Sequence, residues 1–219
     1  MMKLYGHPFS SYTQKALIAF YENATPFEFM LLSPGHPEIY AEFAQRWPIK
    51  RFPLLVDGAR QVMEATCVIE YVDARHPGAV RLIPQDADAA IEVRMLDRFF
   101  DNYIHAPLQK IVDDSLRKNE ADRDPYGVAE ARTRLDTAYA WLDQSMANRE
   151  WAAADAFTLA DCAAAPALFY ADWAHRIGEQ FRNVHAYRRR LLARPSVARC
   201  VEGGRPYRPL FPLGAPDRD

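Results

Sequence analysis

The sequence has 219 residues, 27 Lys and Arg against 29 Asp and Glu, a formal net charge of −2 and 49% hydrophobic residues, enough apolar material for one large core or two small ones. This balance argues against a nucleic-acid binder driven by phosphate attraction, and the absence of a signal-like or bilayer-length apolar run argues against secretion and membrane spanning. Three scattered cysteines without a Cys-x-x-Cys pair, no His-Glu-x-x-His and no glycine-rich phosphate loop argue against a disulfide framework, a metal and a nucleotide, and predict a soluble protein of the reducing cytoplasm.

Lys3 to Tyr5 predicts a short strand, and Gly6-His7-Pro8-Phe9 a turn. A helix from Ser10 or Ser11 to about Glu22 follows, with Ala16, Leu17, Phe20 and Tyr21 at helical spacing. Phe27 to Leu32 reads as the next strand, closing a β-α-β unit. Residues 34–48, interrupted by Gly35, Pro37 and Pro48, read as a loose or helical link. Pro53 to Val56 and Gln61 to Met63 flank Asp57-Gly58, a favoured hairpin pair. Glu64 to Arg75 reads as a helix stopped by His76-Pro77-Gly78. This order predicts an α+β, thioredoxin-like domain over residues 1–78 and a linker over 79–86.

Strand signals vanish after the linker, so residues 87–219 are expected to form an all-helical domain with a tail. Ala87 to Lys118 is a long helical stretch with Leu96, Phe99, Phe100 and Tyr103 on one side. Pro107 removes a backbone donor and is expected to kink or divide it. Asp124-Pro125 opens a helix reaching about Met146, and Thr158 to Arg176 another, ended by Gly178. Val184 to Ala193 and Ser196 to Glu202 are shorter, Gly203-Gly204 ends the helices, and a proline-rich tail follows. Arg188-Arg189-Arg190 reads as a solvated helix face.

Three clusters could carry chemistry. The first, Tyr5 to Lys15, puts Ser10 and Ser11 at a strand-to-helix turn. Ser11 followed by Gln14 is a capping-box pattern. The same geometry favours an anion and lets a hydroxyl donate to a thiolate. Ionising a thiol of pKa about 8.5 near neutrality requires a shift of about two units, or roughly 2.7 kcal/mol. A hydrogen bond to a charged group supplies about 1.5–3 kcal/mol and the helix terminus roughly 0.3–1. No cysteine lies in the turn, so such a thiol must belong to a ligand.

The second cluster is Trp47 to Val56, where Pro53 opens a strand at a sheet edge. A cis Pro53 would turn the Phe52 N–H and C=O outward to pair with a bound peptide. The third is Met63 to Tyr71, where Glu64 meets a helix N-terminus. It reads either as a carboxylate favoured by the helix dipole or as a seat for an amino-acid end. In the second reading Glu64 takes an ammonium, and the N–H groups of Ala65 and Thr66 take a carboxylate. Farther on, Thr158 and Asp161 form a capping box, with Phe157 stapling onto Cys162.

With these motifs in these positions, the chain from Lys3 to about Pro212 resembles the cytosolic glutathione transferase family. The resemblance implies glutathione as substrate or cofactor, a cis Pro53, Phe52 pairing with the cysteinyl backbone, and Arg51 near the glycyl carboxylate. Glu64 matches the acidic half of the family's Glu-Ser pair, whereas Ala65 stands where the serine is usual. Ser10 lies where omega and beta relatives carry cysteine and zeta and tau relatives the catalytic serine. Ser11 lies where theta and delta relatives carry theirs. Ser10 is favoured because the capping pattern occupies Ser11, and Tyr5 is a third candidate. The box at Thr158 matches the family's folding element at the start of its central helix.

By the same resemblance, a second-substrate pocket is expected around Phe9, Tyr12, Tyr103 and His105, with the tail near Tyr207 and Phe211 covering it. Arg94, Arg98 and Asp101 are candidates to meet a partner in a homodimer. The implied activity is attack of the glutathione thiolate on a small electrophile. Alternatives are a glutathione-dependent isomerase of the zeta kind (although Tyr12 replaces the cysteine of that Ser-Ser-Cys motif), a disulfide reductase, or a non-catalytic binding member of the fold.

Overall fold

The alternation of side chains along the first strand divides the N-terminal domain into two layers. The computed structural model describes residues 1–219. Strand β1 (Met2–Gly6) lies inside a four-stranded sheet. On one side it pairs parallel with β2 (Phe27–Leu31), and on the other antiparallel with β3 (Leu54–Asp57). The edge strand β4 (Arg60–Met63) pairs antiparallel with β3, giving the order β2-β1-β3-β4.

Successive residues of a strand face opposite sides. Leu4 therefore packs toward α1 (Ser11–Glu22) and α3 (Ala65–Arg75). Tyr5 joins Met30, Leu32, Leu54 and Val56 against Phe43 of α2 (Pro37–Arg46). The link over 34–48 is thus helical, with Pro37 in its first turn, where a missing N–H costs nothing. Phe43 is its one buried residue.

The helical domain runs α4 (Ala87–Phe99), a π-helical segment (Phe100–His105), α5 (Ala106–Ser115), α6 (Pro125–Ser145), α7 (Leu159–Ala174), α8 (Arg182–Ala193), α9 (Pro195–Gly204) and a 3-10 turn (Arg205–Leu210). The break expected at Pro107 is realised as the π segment just upstream. Pro107 cannot donate to the preceding turn, and the ladder widens before it. Every residue of α7 from Leu159 to Trp173 is buried, as befits a helix apolar on all sides. Both α1 and α4 pack against it. The predicted box at Thr158 and Asp161 is present. The stop expected at Gly178 is not used: α7 ends at Ala174, where the His175 N–H donates to the Ala171 carbonyl at 2.8 Å.

One apolar core runs through both domains, from Leu4, Leu17 and Val68 to Leu96, Leu135 and Leu168. The chain between α3 and α4 is pinned to it. Leu82 is buried, its N–H donates to Asp73 Oδ1 at 3.0 Å, and its carbonyl accepts from Leu159 N at 2.9 Å. No helix is long and apolar enough to cross a membrane.

Candidate functional site

A cleft of about 850 Å³ opens between the sheet domain and the helical domain. Its sheet-domain wall is Phe9 to Tyr12, Lys50 to Pro53, Glu64 and Ala65. Its opposite wall is His105, Ala106, the stretch Leu108–Lys110, Val112, Asp113 and Leu116, with Tyr170 at the base and Leu210 to Pro212 from the tail. The turn, the proline strand and the α3 start, far apart in sequence, therefore border one cavity.

At the turn the capping assignment is reversed. Ser10, not Ser11, is the N-cap of α1, and its Oγ accepts from the Thr13 N–H at 3.3 Å. Gln14 makes no box. It is buried, and its Nε2 donates to the Pro8 carbonyl at 2.8 Å and to the Tyr170 hydroxyl at 3.1 Å. As a cap, Ser10 acts only as an acceptor, so its hydroxyl proton stays available to a ligand. Ser11 instead crosses to the helical domain, with Oγ 3.0 Å from His105 Nε2. The His105 ring is buried and packs 4.3 Å from Tyr12. Burial, with nearby Lys15, pushes its pKa down to about 4, so the imidazole is neutral around pH 7.

Tyr5 does not border the cleft. It is wholly buried on the α2 side of the sheet, stacked on Phe43 at 6.2 Å. Burial and the Glu42 carboxylate push its hydroxyl up to about 12. The strand period puts Leu4 and Tyr5 on opposite faces, and the face toward α1 is not Tyr5's.

The Phe52–Pro53 bond is cis. Phe52 is half-buried against Phe43 at 6.3 Å, and Arg51 is exposed at the cleft beside Lys50. Glu64 sits at the N-cap of α3 with φ 67° and makes no side-chain cap bond. A non-glycine residue held at positive φ costs roughly 1–3 kcal/mol and recurs at ligand clamps. Its carboxylate is thereby left free of the helix it precedes, and the first N–H groups of α3 have no intrahelical acceptor. Ala65 borders the cleft.

Thr66 does not restore the missing serine hydroxyl. Its Oγ1 accepts from Lys15 Nζ at 2.9 Å and donates to Asp97 Oδ2 at 2.9 Å. Lys15, 1% exposed, also pairs with Asp97 at 2.6 Å and Asp101 at 2.8 Å, tying α1, α3, α4 and the π segment together beneath the cleft. Arg98 pairs with Asp97 and Asp101, and Arg94 with Glu70 at 2.6 Å. Asp101 is thus engaged within its own chain.

Phe9, Tyr12 and His105 line the cleft as expected, whereas Tyr103 does not. Two residues before His105 on the helix, Tyr103 points away, 60% exposed beside Phe99. Of the tail pair, Phe211 borders the cleft and Tyr207 packs on His7 instead, at 4.5 Å. Lys50, Tyr170 and the row Leu108, Val112 and Leu116 were not singled out from the sequence. That row has the four-residue spacing of one helix face, a legible signal.

The family model for the glutathione S-transferase N-terminal domain matches residues 4–79, and that for the C-terminal domain matches residues 99–195. A stringent starvation protein A homolog of Haemophilus ducreyi is 24% identical over 213 residues, covering 94% of this chain and 92% of the relative. A maleylpyruvate isomerase of a Ralstonia species is 26% identical over 170 residues, covering 75% and 80%. A glutathione S-transferase structure from Methylobacterium radiotolerans, in complex with glutathione sulfonate, aligns with a TM-score of 0.78 at 26% identity, covering 91% and 94%. The two domain models together span most of the sequence, and the chain belongs to the glutathione S-transferase family.

Proposed function

We propose that the protein is a glutathione transferase in which Ser10 holds the glutathione sulfur as a thiolate for attack on a small electrophile. The observation that carries this reading is the meeting of Ser10, Phe52-Pro53 and Glu64-Ala65 around one cleft. In it, the cysteinyl backbone pairs with the N–H and C=O of Phe52 along the cis bond. Glu64 takes the γ-glutamyl ammonium, the N–H groups of Ala65 and Thr66 take its carboxylate, and Arg51 takes the glycyl carboxylate. The electrophile lies against Phe9, Tyr12 and the α5 row. Titration calorimetry with glutathione, combined with the thiolate absorbance of the complex, tests the reading. A folded chain that neither binds glutathione nor develops thiolate absorbance below pH 7 refutes it.

Ala65→Ser is expected to tighten glutathione about fivefold to tenfold, since one added hydrogen bond is worth about 1 kcal/mol net. Calorimetry reads this directly, and an unchanged affinity would mean that the ligand's carboxylate lies elsewhere.

A homodimer belongs to the same reading. Ile91, Met95 and Tyr103 are 63%, 55% and 60% exposed along one side of α4 and the π segment, next to Trp141 at 44%. An apolar row of this kind fits a partner better than water. Met95→Asp is expected to halve the mass in light scattering, and a variant of unchanged mass would remove this face from the interface. Three free cysteines suit a reducing compartment, and we take the cytoplasm as the location.

Two other readings have an observation each. Ala65, together with similarity to a stringent starvation protein A homolog, a relative whose name states no enzyme activity, favours a non-catalytic member, for which a folded chain would show no turnover. The similarity to a maleylpyruvate isomerase favours glutathione acting as a cofactor, for which product would form with no loss of glutathione.

A further inference from the structure

The tail ends on a group of arginines that lies outside the cleft. Arg188, expected on a solvated helix face, is instead buried at 9% exposure. Its Nε donates to the Leu168 carbonyl at 3.4 Å, and its Nη1 to the Asp219 main-chain oxygen at 3.3 Å. Its Nη2 is buried with no hydrogen-bond partner. Asp172 Oδ2 lies 3.8 Å away, too far to accept. The Asp172 carboxylate is engaged by Arg218 at 3.0 Å and by the Ile177 N–H at 3.0 Å. Burial, with the Arg218 charge, holds the Arg188 guanidinium below its ordinary pKa, and Asp172 opposes this. The Asp219 side chain bridges Arg205, at 3.0 Å, and Arg208. Arg205 is shared with Glu202 at 2.8 Å, and Arg208 lies over the Trp173 ring, 5.2 Å from its centroid. None of these residues borders the cleft.

An aspartyl residue carries oxygen at both ends of a four-carbon chain, on the main-chain carbon and on the side-chain carboxylate. In Asp219 the first end meets Arg188 and the second meets Arg205 and Arg208. We propose that Arg188, Arg205 and Arg208 form a seat for a free four-carbon dicarboxylate of the succinate type, and that Asp219 fills this seat when the ligand is away. Not tied to the tail, the free acid can turn one carboxylate onto both Nη1 and Nη2 of Arg188, the paired geometry that guanidinium and carboxylate favour. Its other carboxylate takes over the bridge between Arg205 and Arg208. A buried guanidinium with an idle N–H is unfavourable, and the ligand relieves it where Asp219 does not. Asp219 is also easily displaced. Its side chain is 40% exposed, exposed ion pairs are weak, and residues 211–219 form no helix or strand. A tethered group of this kind competes at an effective concentration in the millimolar range, which sets the level a free acid must match. A monocarboxylate reaches only one end of the seat.

Titration calorimetry of the full chain with succinate at fixed ionic strength tests this, with acetate and sulfate as comparison anions. Asp219→Ala removes the competing carboxylate. It is expected to bind succinate about tenfold more tightly than wild type does, and about tenfold more tightly than it binds acetate or sulfate, the factor that one charged hydrogen bond supplies. Adding Arg208→Gln or Arg205→Gln to Asp219→Ala should lower that affinity about tenfold. Melting temperature is followed in each variant, and Arg205→Gln, on the more exposed side chain, serves if Arg208→Gln does not fold. An Asp219→Ala protein that takes up no succinate overturns the proposal. So does one that takes acetate or sulfate equally well, which would make the group a place for an adventitious ion only. Equal succinate affinity in wild type and Asp219→Ala, or an affinity that the arginine substitutions leave unmoved, overturns it too. Glutathione affinity should stay constant throughout, so failure here leaves the transferase reading standing.

Discussion

Ser10→Ala is expected to lower kcat/KM about 10- to 30-fold at pH 6.5, because the α1 terminus keeps its own smaller share of the thiolate's stabilisation, and hardly at all above pH 9. The Ser10 Oγ accepts from Thr13 N at 3.3 Å, which fixes the oxygen and leaves its proton free. Donation of that proton to a sulfur anion is worth about 1.5–3 kcal/mol, and the α1 terminus adds roughly 0.3–1. Together they lower a thiol pKa of about 8.5 by about two units. Only the charged form gains, so the bound thiol is half ionised near pH 6.5, whereas an unaided one is ionised there to about 1%. The advantage is full below the lowered pKa and disappears as pH rises through the ordinary one. The same substitution removes a helix cap and should cost about 1 kcal/mol of stability. A pH profile of kcat/KM separates the two effects, because lost stability does not move its inflection. An inflection left in place by Ser10→Ala would show that another group ionises the sulfur.

Much of this site could be read locally. A strand followed by a turn and a helix fixes Ser10 and Ser11 at a helix start, whatever packs above them. The Phe52-Pro53 step and Glu64 gain their meaning from neighbours within a few residues of the hairpin. What local pattern could not decide was which of two adjacent serines caps. Ser11 and Gln14 have the right spacing, but Gln14 turns inward to Pro8 and Tyr170. Tyr170 lies 156 residues away on α7, so that competition is tertiary. Thr66 fails as a replacement hydroxyl for the same reason, since Lys15 and Asp97 claim it from two other helices. The resemblance implies a pocket along the first helices of the second domain, and both Tyr103 and His105 lie on that stretch. Residues two apart on a helix point to roughly opposite sides, however, and only His105 reaches the cleft. The helix at 37–46 leaves little trace in the sequence because one buried residue, Phe43, gives almost no periodicity.

The largest loss of stability is expected from Asp161→Ala, which should remove on the order of 4 kcal/mol. Asp161 is wholly buried at the start of α7. Its Oδ1 accepts from Ala152 N at 2.9 Å and the Tyr187 hydroxyl at 2.6 Å, and its Oδ2 from Thr158 N at 2.8 Å and Thr158 Oγ1 at 3.1 Å. Burial pushes this carboxyl up, and the four donors oppose that. Alanine leaves those donors in an apolar interior, and each buried polar group left unpaired costs about 1–3 kcal/mol. Relaxation and entering water recover part of the sum. At about 2–4 °C per kcal/mol for a chain of this size, the melting temperature should fall roughly 8–16 °C. Because α7 packs against both α1 and α4, the loss should appear as one shifted transition and not as early melting of the helical domain alone. Asp161→Asn keeps the shape and two acceptor bonds but turns an amide N–H toward the Thr158 N–H, so it should lose about half as much. Calorimetric melts of the two variants decide it: an Asp161→Ala protein within 1 °C of wild type would mean that the folded state does not depend on this box.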